Sequence, residues 1–567
     1  MQINRYFFGF LSALAVLVVS SPSVAFAQEA PVSPTATTTV PESPDVVPPP
    51  LAGHVVPLSA QVRIDSVFIE GSTLVEWSEI EAAIDPYLPY ESEEGNVRQG
   101  LKKFEDAITK LYQDRGYFLV KAYVPEQEIK DGELKIVVLE GQLGDLTVTG
   151  NSIYKTPFII NHFNQQERKA IQNRSLERSV LLLNDYMDIQ GKGYVQPGSA
   201  DGKSDLAISV HDLRPLHFTF EYNNFGARLV SRHRFDLGVE IGNLLREGSD
   251  LSAHLLLGSP VSDLTYWVGR YRFPIGFNGT RVNFTYSGGD FDAGRFLSGA
   301  GQFKMDTQAF GIFVSHPFIK QSFLVVNGEI RFDVKDFDQF DGLGNKRDRI
   351  RLLRVAGDFS QQTLRGKNIV RVSLSGGLGD VLGGMEDNDL RSSRAGTGAD
   401  NRFLKMGLTA ARFHRLNKNI TLLAKGDGQV ATRSLVVGEQ YSLGGAYSVR
   451  GYPMGEFLGD NGYSVTAEAR ISPFKNKDIF HLDFFVDAGW GDLKRPSAGD
   501  PDDVSLSGVG LGVRFASPYT IPFFNKKEDN QKTLKTDLKV DVGFPLEDGP
   551  VTKGSAPYYD VQVVFLF

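Results

Sequence analysis

Few residues in this chain have the types and spacing to do chemistry, and the most distinctive of them is an arginine. Arg450 follows the run Tyr441-Ser442-Leu443-Gly444-Gly445 and sits in Val449-Arg450-Gly451-Tyr452. Gly451 lets the backbone turn sharply at this point. On charge alone Arg450 reads as a solvated loop residue. In a narrow, partly dehydrated setting it would need a carboxylate, which a guanidinium can bind with two parallel hydrogen bonds. Farther on, Leu482 to Trp490 alternates strictly. Leu482, Phe484, Val486, Ala488 and Trp490 share one face, and Asp483, Phe485, Asp487 and Gly489 share the other.

Other candidates point away from catalysis. Gly508-Val509-Gly510-Leu511-Gly512 suggests a dinucleotide loop, but it lies inside an alternating strand with no helix after it. Asp336, Asp338 and Asp341 with Gly342 have a calcium-loop flavour with the wrong spacing and no closing Glu, so they read as an acidic surface loop. The nine His are scattered, with no Ser/His/Asp or His/Glu arrangement. No G-x-x-x-x-G-K-[ST] run is present. The expectation is a protein that is not an enzyme, with no cofactor and no metal. The net charge of -8 also argues against a nucleic-acid partner.

The elements that must position Arg450 come in a clear order. Arg5, an apolar stretch from Tyr6 to Ser20 and Ala25-Phe26-Ala27 together form a secretory signal peptide over residues 1–27. Residues 28–61 are rich in Pro, Ser, Thr and Val and read as a linker. From Val62 the texture alternates between strand and helix. Trp77, Ile80 and Ile84 have helical spacing up to Pro86, and Val97, Leu101, Phe104, Ile108 and Leu111 mark a second helix. Strands follow over Phe118–Val124 and Glu133–Leu139. The pattern then repeats at a spacing of roughly 75 to 80 residues. Leu146 to Asn151 mirrors Val67 to Ser72, Gly193-Tyr194 mirrors Gly116-Tyr117, and Asp205 to Val210 mirrors Glu133 to Val138. Two small β-α-α-β-β modules are therefore expected, over 62–142 and 143–214.

After Arg214-Pro215, period-two alternation takes over. Phe235, Leu237, Val239 and Ile241 alternate with Asp236, Gly238 and Glu240, and comparable runs surround Val465 and Val540. Charges on one side of strand after strand fit a wet lumen rather than a dry core. The chain has 40 Phe, 20 Tyr, 59 Gly and no Cys, and its mean hydropathy is slightly negative. A transmembrane β-barrel over 215–567 accounts for all of these together. Sixteen segments can be marked, at about 22 residues per strand plus link. Long outer links are expected around 289–304, 336–348, 380–401 and 432–462, with short inner links such as Phe277-Asn278-Gly279. The inner link near 517–535 is unusually long.

Two repeated modules ahead of a sixteen-strand barrel resemble the outer-membrane transporters of two-partner secretion, the haemolysin-activator type, within the superfamily that joins POTRA domains to a barrel. The stretch from Tyr441 to Tyr452 is similar to that superfamily's motif at the tip of the sixth outer loop. Phe485-Val486-Asp487-Ala488-Gly489 is similar to its companion F-x-D-x-G motif on a barrel strand. The resemblance implies that Val449, Arg450, Gly451 and Tyr452 fold back into the lumen and that Asp487, flanked by Phe485 and Gly489, receives Arg450. It implies a periplasmic client, a secreted exoprotein with an amino-terminal secretion domain kept unfolded and bound by β-augmentation at a module edge. It also implies an outer-membrane setting in a Gram-negative-type bacterium, surrounded by outer-membrane lipid. The last residues, Tyr559, Val561, Val563, Phe565 and Phe567, alternate to a terminal Phe, like the signal by which barrel assembly machinery inserts such proteins. Many relatives carry an amino-terminal plug helix. The prolines of 28–61 do not support one here, which leaves the loop bearing Arg450 as the main obstruction of the resting pore. The competing readings are a barrel-assembly insertase of the same superfamily and, in a different class, a porin or surface adhesin.

Overall fold

The computed structural model describes residues 62–566, except 93–96, 128, 130, 164–171, 199–202, 227–230, 294–302, 341–343, 388, 475–478, 498 and 518–534. The expected signal peptide, the linker, terminal Phe567 and nearly all of the long inner link near 517–535 lie outside the described residues. The chain divides into two compact units, one ending at Arg214 and the other beginning at Pro215.

The first unit holds the two modules. In module one, β1 (Arg63–Ile64) and β3 (Tyr90–Glu91) form a short pair. The main sheet is β2 (Ser66–Glu70), β5 (Glu133–Glu140) and β4 (Val120–Tyr123), with β5 in the centre. Helices α1 (Trp77–Ile84) and α2 (Val97–Asp114) contribute Ile80, Ile84, Phe104 and Ile108 to a core that also contains Leu134 and Ile136 of the sheet. The spacing of three and four residues puts these side chains on one face of each helix, so burying that face fixes the helices on the sheet. Module two repeats the plan with β6 (Gln142–Thr149), α3 (Thr156–Asn161), α4 (Asn173–Leu183), β7 (Ile189–Pro197) and β8 (Lys203–Asp212), and β8 is its central strand.

One detail of the repeat differs from the sequence reading. Val120 lies opposite Glu140 and Ile189 lies opposite Asp212, so the counterpart of Gly116-Tyr117 is Asp185-Tyr186. Gly193-Tyr194 lies inside β7 instead. The spacing of the repeat shortens along the module because the second helix pair is more compact.

Both modules end their central strand with a carboxylate that caps the turn after the first strand. Glu140 accepts from Thr73 N at 2.7 Å and Leu74 N at 2.9 Å. Asp212 accepts from Ser152 N, Ile153 N and Tyr154 N, each at 2.8 Å. Burial opposes ionisation of Asp212, but the hydrogen bonds from Tyr154, Ser152 and Ile153 win and hold its carboxyl below the usual range. Asp212→Ala strands three backbone donors and is expected to destabilise module two by about 1–3 kcal/mol, measured by chemical denaturation. The depressed pKa means this stabilisation is complete above the unfolded carboxyl's pKa and is lost as pH falls through the folded one.

The second unit is a closed barrel of sixteen antiparallel strands in sequence order, as the alternation predicts. They are β9 (Leu216–Asn223), β10 (Arg234–Gly242), β11 (Asp250–Gly258), β12 (Leu264–Pro274), β13 (Arg281–Asp292), β14 (Lys304–Lys320), β15 (Leu324–Phe340), β16 (Asn345–Thr363), β17 (Gly366–Gly377), β18 (Leu404–Arg415), β19 (Ile420–Ala431), β22 (Asn461–Ile471), β23 (Phe480–Asp492), β24 (Asp503–Ser517), β25 (Lys535–Pro545) and β26 (Tyr558–Leu566). Two short strands, β20 (Tyr441–Leu443) and β21 (Phe457–Gly459), form a separate hairpin inside the link between β19 and β22. The seam closes where β26 meets β9, through the pairs from Gln562↔Asn223 to Leu566↔Thr219. Beyond those pairs, the Asn224 side chain continues the ladder, accepting from Val561 N at 2.6 Å and donating to Tyr559 O at 2.8 Å.

The region 336–348, expected as a long loop, is mostly strand. β15 and β16 run for 17 and 19 residues, well past the roughly 9–11 that a bilayer requires. Asp336 and Asp338 stay in β15 because arginines across the hairpin neutralise them. Arg351 reaches Asp336 at 2.8 Å, and Arg349 reaches Asp338 at 2.8 Å. These aspartates therefore form cross-strand ion pairs rather than an acidic surface loop. Asp341 and Gly342 fall outside the described residues.

Candidate functional site

The link between β19 and β22, residues 432–460, folds back against the inside of the barrel. Its hairpin β20–β21 packs Tyr441, Leu443, Val449, Tyr452 and Phe457 with Leu506 of β24 into a small apolar cluster. Apolar burial holds the loop body to the wall and delivers its tip to a polar row.

At that tip Arg450 is 4 % exposed. Its Nε and one terminal nitrogen bind the two Asp487 oxygens at 2.7 and 3.0 Å, a bidentate grip, and its backbone N–H donates to Asp487 Oδ2 at 3.1 Å. The other terminal nitrogen reaches Glu468 Oε2 at 2.8 Å and Asp541 Oδ2 at 3.3 Å. The guanidinium carbon stands 3.4 Å from the centroid of the Phe485 ring, a cation–π contact strengthened by desolvation. Burial works against the charge of Arg450. The hydrogen bonds and charge of Asp487, with Glu468 and Asp541 behind it, overcome that and raise its pKa above the usual arginine value. The row continues sideways. Arg470 and Arg514 bind Glu468, Arg514 also binds Asp483 at 2.6 Å, and Lys539 binds Asp541 at 3.0 Å. Arg450, Arg470, Arg514 and Lys539 thus face Asp487, Glu468, Asp483 and Asp541, four cations and four carboxylates joined by direct contacts.

The wall is shaped to take the loop. A Cβ on Gly508 would lie 2.2 Å from Arg450 O, and one on Gly543 would lie 2.4 Å from Gly451 N. Gly451 itself has φ +102°, a left-handed conformation that L side chains resist. Gly510 makes room for the Phe485 ring, and Gly489 makes room for Leu443 and Val449. In F-x-D-x-G, then, the ring carries the guanidinium, the carboxylate binds it and the glycine admits the hairpin. The run Gly508 to Gly512, set aside as a nucleotide loop, is part of the floor beneath the tip. The fully buried Tyr452 places its hydroxyl 2.8 Å from Glu547 O in the outer link between β25 and β26.

A second set of contacts fastens the outer part of the loop. Arg394, from the link 378–403, donates to Asp460 Oδ1 at 2.6 Å and to Leu435 O at 2.7 Å. Asp460 also accepts from Leu435 N and Lys494 N. Beside them Leu435, Val436, Met385, Ala399 and Phe403 join residues of β12 to β16 in a buried apolar cluster. Glu439 is 2 % exposed and binds Lys335 and Lys405, each at 2.8 Å. Burial opposes the Glu439 charge, but the two lysines prevail and hold its carboxyl well below the ordinary range. The stabilisation from this latch is therefore fully present above the unfolded carboxyl's pKa and is lost as pH falls through a depressed folded pKa. Glu439→Gln leaves two cations buried without a carboxylate. The expected loss is about 3–5 kcal/mol of loop docking, read as faster protease nicking of 432–460 in a barrel that is otherwise intact.

Among the residues singled out from sequence, Val449, Arg450, Gly451, Tyr452, Phe485, Asp487 and Gly489 come together at one place. Tyr559 and Phe565 lie apart from it on β26, where Tyr559 faces outward and the Phe565 ring lies 6.0 Å from that of Phe220 across the seam. Sequence reasoning missed Glu468, Asp541, Gly508 and Gly543 as members of the site. Alternation marks Glu468 and Asp541 as lumen-facing, but it does not show that they share a level with Arg450. Arg394, Asp460 and Glu439 lie in or beside irregular loops and carried no periodic signal.

Comparison with known proteins agrees with this architecture. The family model described as haemolysin secretion/activation protein ShlB/FhaC/HecB matches residues 202–515, and a ShlB-type POTRA domain matches residues 62–141. A heme/hemopexin transporter protein, HuxB, from Haemophilus influenzae (strain 86-028NP) is 23% identical over 439 residues, covering 74% of this chain and 76% of its own. An outer membrane transporter, CdiB, from Dickeya dadantii is 22% identical and covers 73% of each chain. Among solved structures, CdiB from Escherichia coli superposes with a TM-score of 0.73 at 19% identity over 94% of both chains. BamA from Haemophilus ducreyi, lacking its first three POTRA domains, reaches 0.51 at 14% identity over 90% of this chain and all of its own. The solved structures speak to fold, and the family model speaks to descent. The chain belongs to the haemolysin secretion/activation family, and it is an outer-membrane transporter of two-partner secretion whose POTRA domains lie in the periplasm.

Proposed function

We propose that the transporter takes one secreted exoprotein, or a few, captures it unfolded at the periplasmic modules and passes it through the barrel, with loop 432–460 as the element that blocks the resting lumen. The observation that carries this reading is the buried Arg450 row. A solvent-exposed loop has no reason to neutralise three wall carboxylates, whereas a loop that closes a pore must compensate each charge it meets. The modules supply the capture step. Each sheet has its central strand between two edges, β2 and β4 in module one and β6 and β7 in module two. An extended chain can add to such an edge, with main-chain hydrogen bonds giving affinity and alternate side chains giving selectivity. With no nucleotide motif in the chain, folding of the client outside supplies the direction of transport.

Deletion of residues 62–142 tests the capture step. Purified protein lacking module one is expected to lose binding of the exoprotein's amino-terminal domain by about tenfold or more, the effect of losing at least 1.4 kcal/mol of contact. Undiminished binding would show that module one is a spacer.

A further inference from the structure

The lipid-facing wall carries a feature that the transport reading does not use. On the outer face of β16 to β23 lies a groove of about 750 Å³, within the roughly 300–1,000 Å³ typical of ligand sites. A row of small residues in direct cross-strand register runs along its floor, with Val370, Val465 and Val486 beside it. Arg412 faces Ala424, which faces Ala467, and one step along the strands Ala410 faces Gly426. Phe359 and Ala488 also line it. Bulky outward residues stand around this floor, among them Leu408, Leu422, Tyr463 and Phe484, each at least 39 % exposed. The groove is thus a dent in an apolar wall that already faces hydrocarbon.

One end of the dent is charged. Arg412 donates to Asn368 Oδ1 at 2.6 Å, and Asn368 donates to Gln361 Oε1 at 3.2 Å, giving a short polar row on an outward face. Among the described residues Arg412 has no carboxylate partner; its other contact is His414 at 3.4 Å. The row lies near the inner ends of β16, β17 and β18, because β9 enters from the periplasmic side and the strands then alternate in direction. The same rim carries Arg365, Lys367, Arg415 and Lys418, and no Asp or Glu occurs from Phe359 to Gly379 or from Asn401 to Gly426. Leu364 and Leu416 project bare at the two hairpin tips, 105% and 58% exposed. A wall with an acyl-sized dent, a guanidinium lacking a counter-ion at its periplasmic end and a carboxylate-free basic rim has the complement of a phosphate headgroup joined to hydrocarbon chains. We propose that this groove binds one anionic glycerophospholipid of the periplasmic leaflet, with an acyl chain over Ala410, Ala424 and Ala467 and the phosphate on Arg412. Small residues at the floor allow the chain to approach the backbone closely, which is where packing energy comes from when both surfaces are apolar.

The test uses full-length protein in detergent, offered dipalmitoyl phosphatidylglycerol or dipalmitoyl phosphatidylcholine and examined by native mass spectrometry. One phosphatidylglycerol is expected to be retained about fivefold better than phosphatidylcholine, the effect of roughly 1 kcal/mol for one well-placed cation. Arg412→Gln abolishes that preference. Ala424→Leu with Ala467→Leu fills the dent and lowers retention of both lipids with Arg412 in place. Heat-modifiable migration on gels confirms that each variant is folded, and both substitutions lie on the outer face, away from the Arg450 row. Equal retention of the two lipids by the unaltered protein overturns the proposal, as does unchanged retention after either substitution. Weaker exoprotein binding by Arg412→Gln with lipid retention intact would assign the rim to the client and overturn the lipid site.

Discussion

Arg450→Ala is expected to leave barrel abundance and heat-modifiable migration near normal while exoprotein in the medium falls by about tenfold or more and small-solute permeability rises. The reason lies in the charge balance of the row. Arg450 is the one loop residue among four cations set against four carboxylates, and its removal leaves Asp487, Glu468 and Asp541 without the charge that joins them. An uncompensated buried charge costs about 3–5 kcal/mol, which shifts loop docking by roughly two to three and a half orders of magnitude at about 1.4 kcal/mol per tenfold. The barrel ladder does not pass through the loop, so the sheet survives. Asp487→Asn is expected to be milder, because Glu468 and Asp541 still hold the guanidinium. Arg450→Lys is expected to fall short of rescue, since an ammonium does not reproduce the bidentate grip on Asp487 or the flat stacking on Phe485. Export unchanged in both Arg450→Ala and Asp487→Asn would remove the loop from the mechanism.

The parts of this architecture that were legible in the sequence are those a membrane imposes. A wall with lipid on one side and water on the other forces period two, so Leu482 to Trp490 could be assigned to faces residue by residue, and the strand count followed. What escaped depended on partners distant in sequence. Asp336 and Asp338 have the composition of an acidic turn, and only the arginines Arg347, Arg349 and Arg351 on the returning strand keep them in a ladder. The dipeptide Gly193-Tyr194 copies Gly116-Tyr117 in letters but not in place, because β7 runs straight through it. The glycines of β24 read as nothing more than strand until the loop tip is laid on them. Arg394 and Asp460 could not be paired in advance, since irregular loops have no period to read.

The glycine floor gives the sharper test of loop docking, because it alters shape without altering charge. Gly508→Ala places a methyl 2.2 Å from Arg450 O, in backbone that has no rotamer with which to yield. The tip must lift, and Nε and one terminal nitrogen of Arg450 then leave Asp487 while the other leaves Glu468 and Asp541, although every charge is still present. Gly508→Ala is therefore expected to reproduce the permeability and the export loss of Arg450→Ala. Gly269→Ala in β12, where the nearest atom to the new methyl is 3.9 Å away, is the matched control and is expected to behave as the unaltered protein. The double variant Gly508→Ala/Arg450→Ala should be little worse than either single one, because both remove the same docked state and contributions that share one state do not add. If the two effects instead sum, the floor and the arginine act on different steps. If Gly508→Ala leaves solute permeability unchanged, the loop tip does not rest on β24 in the membrane and the resting block must be sought in the outer contacts of Arg394 and Glu439.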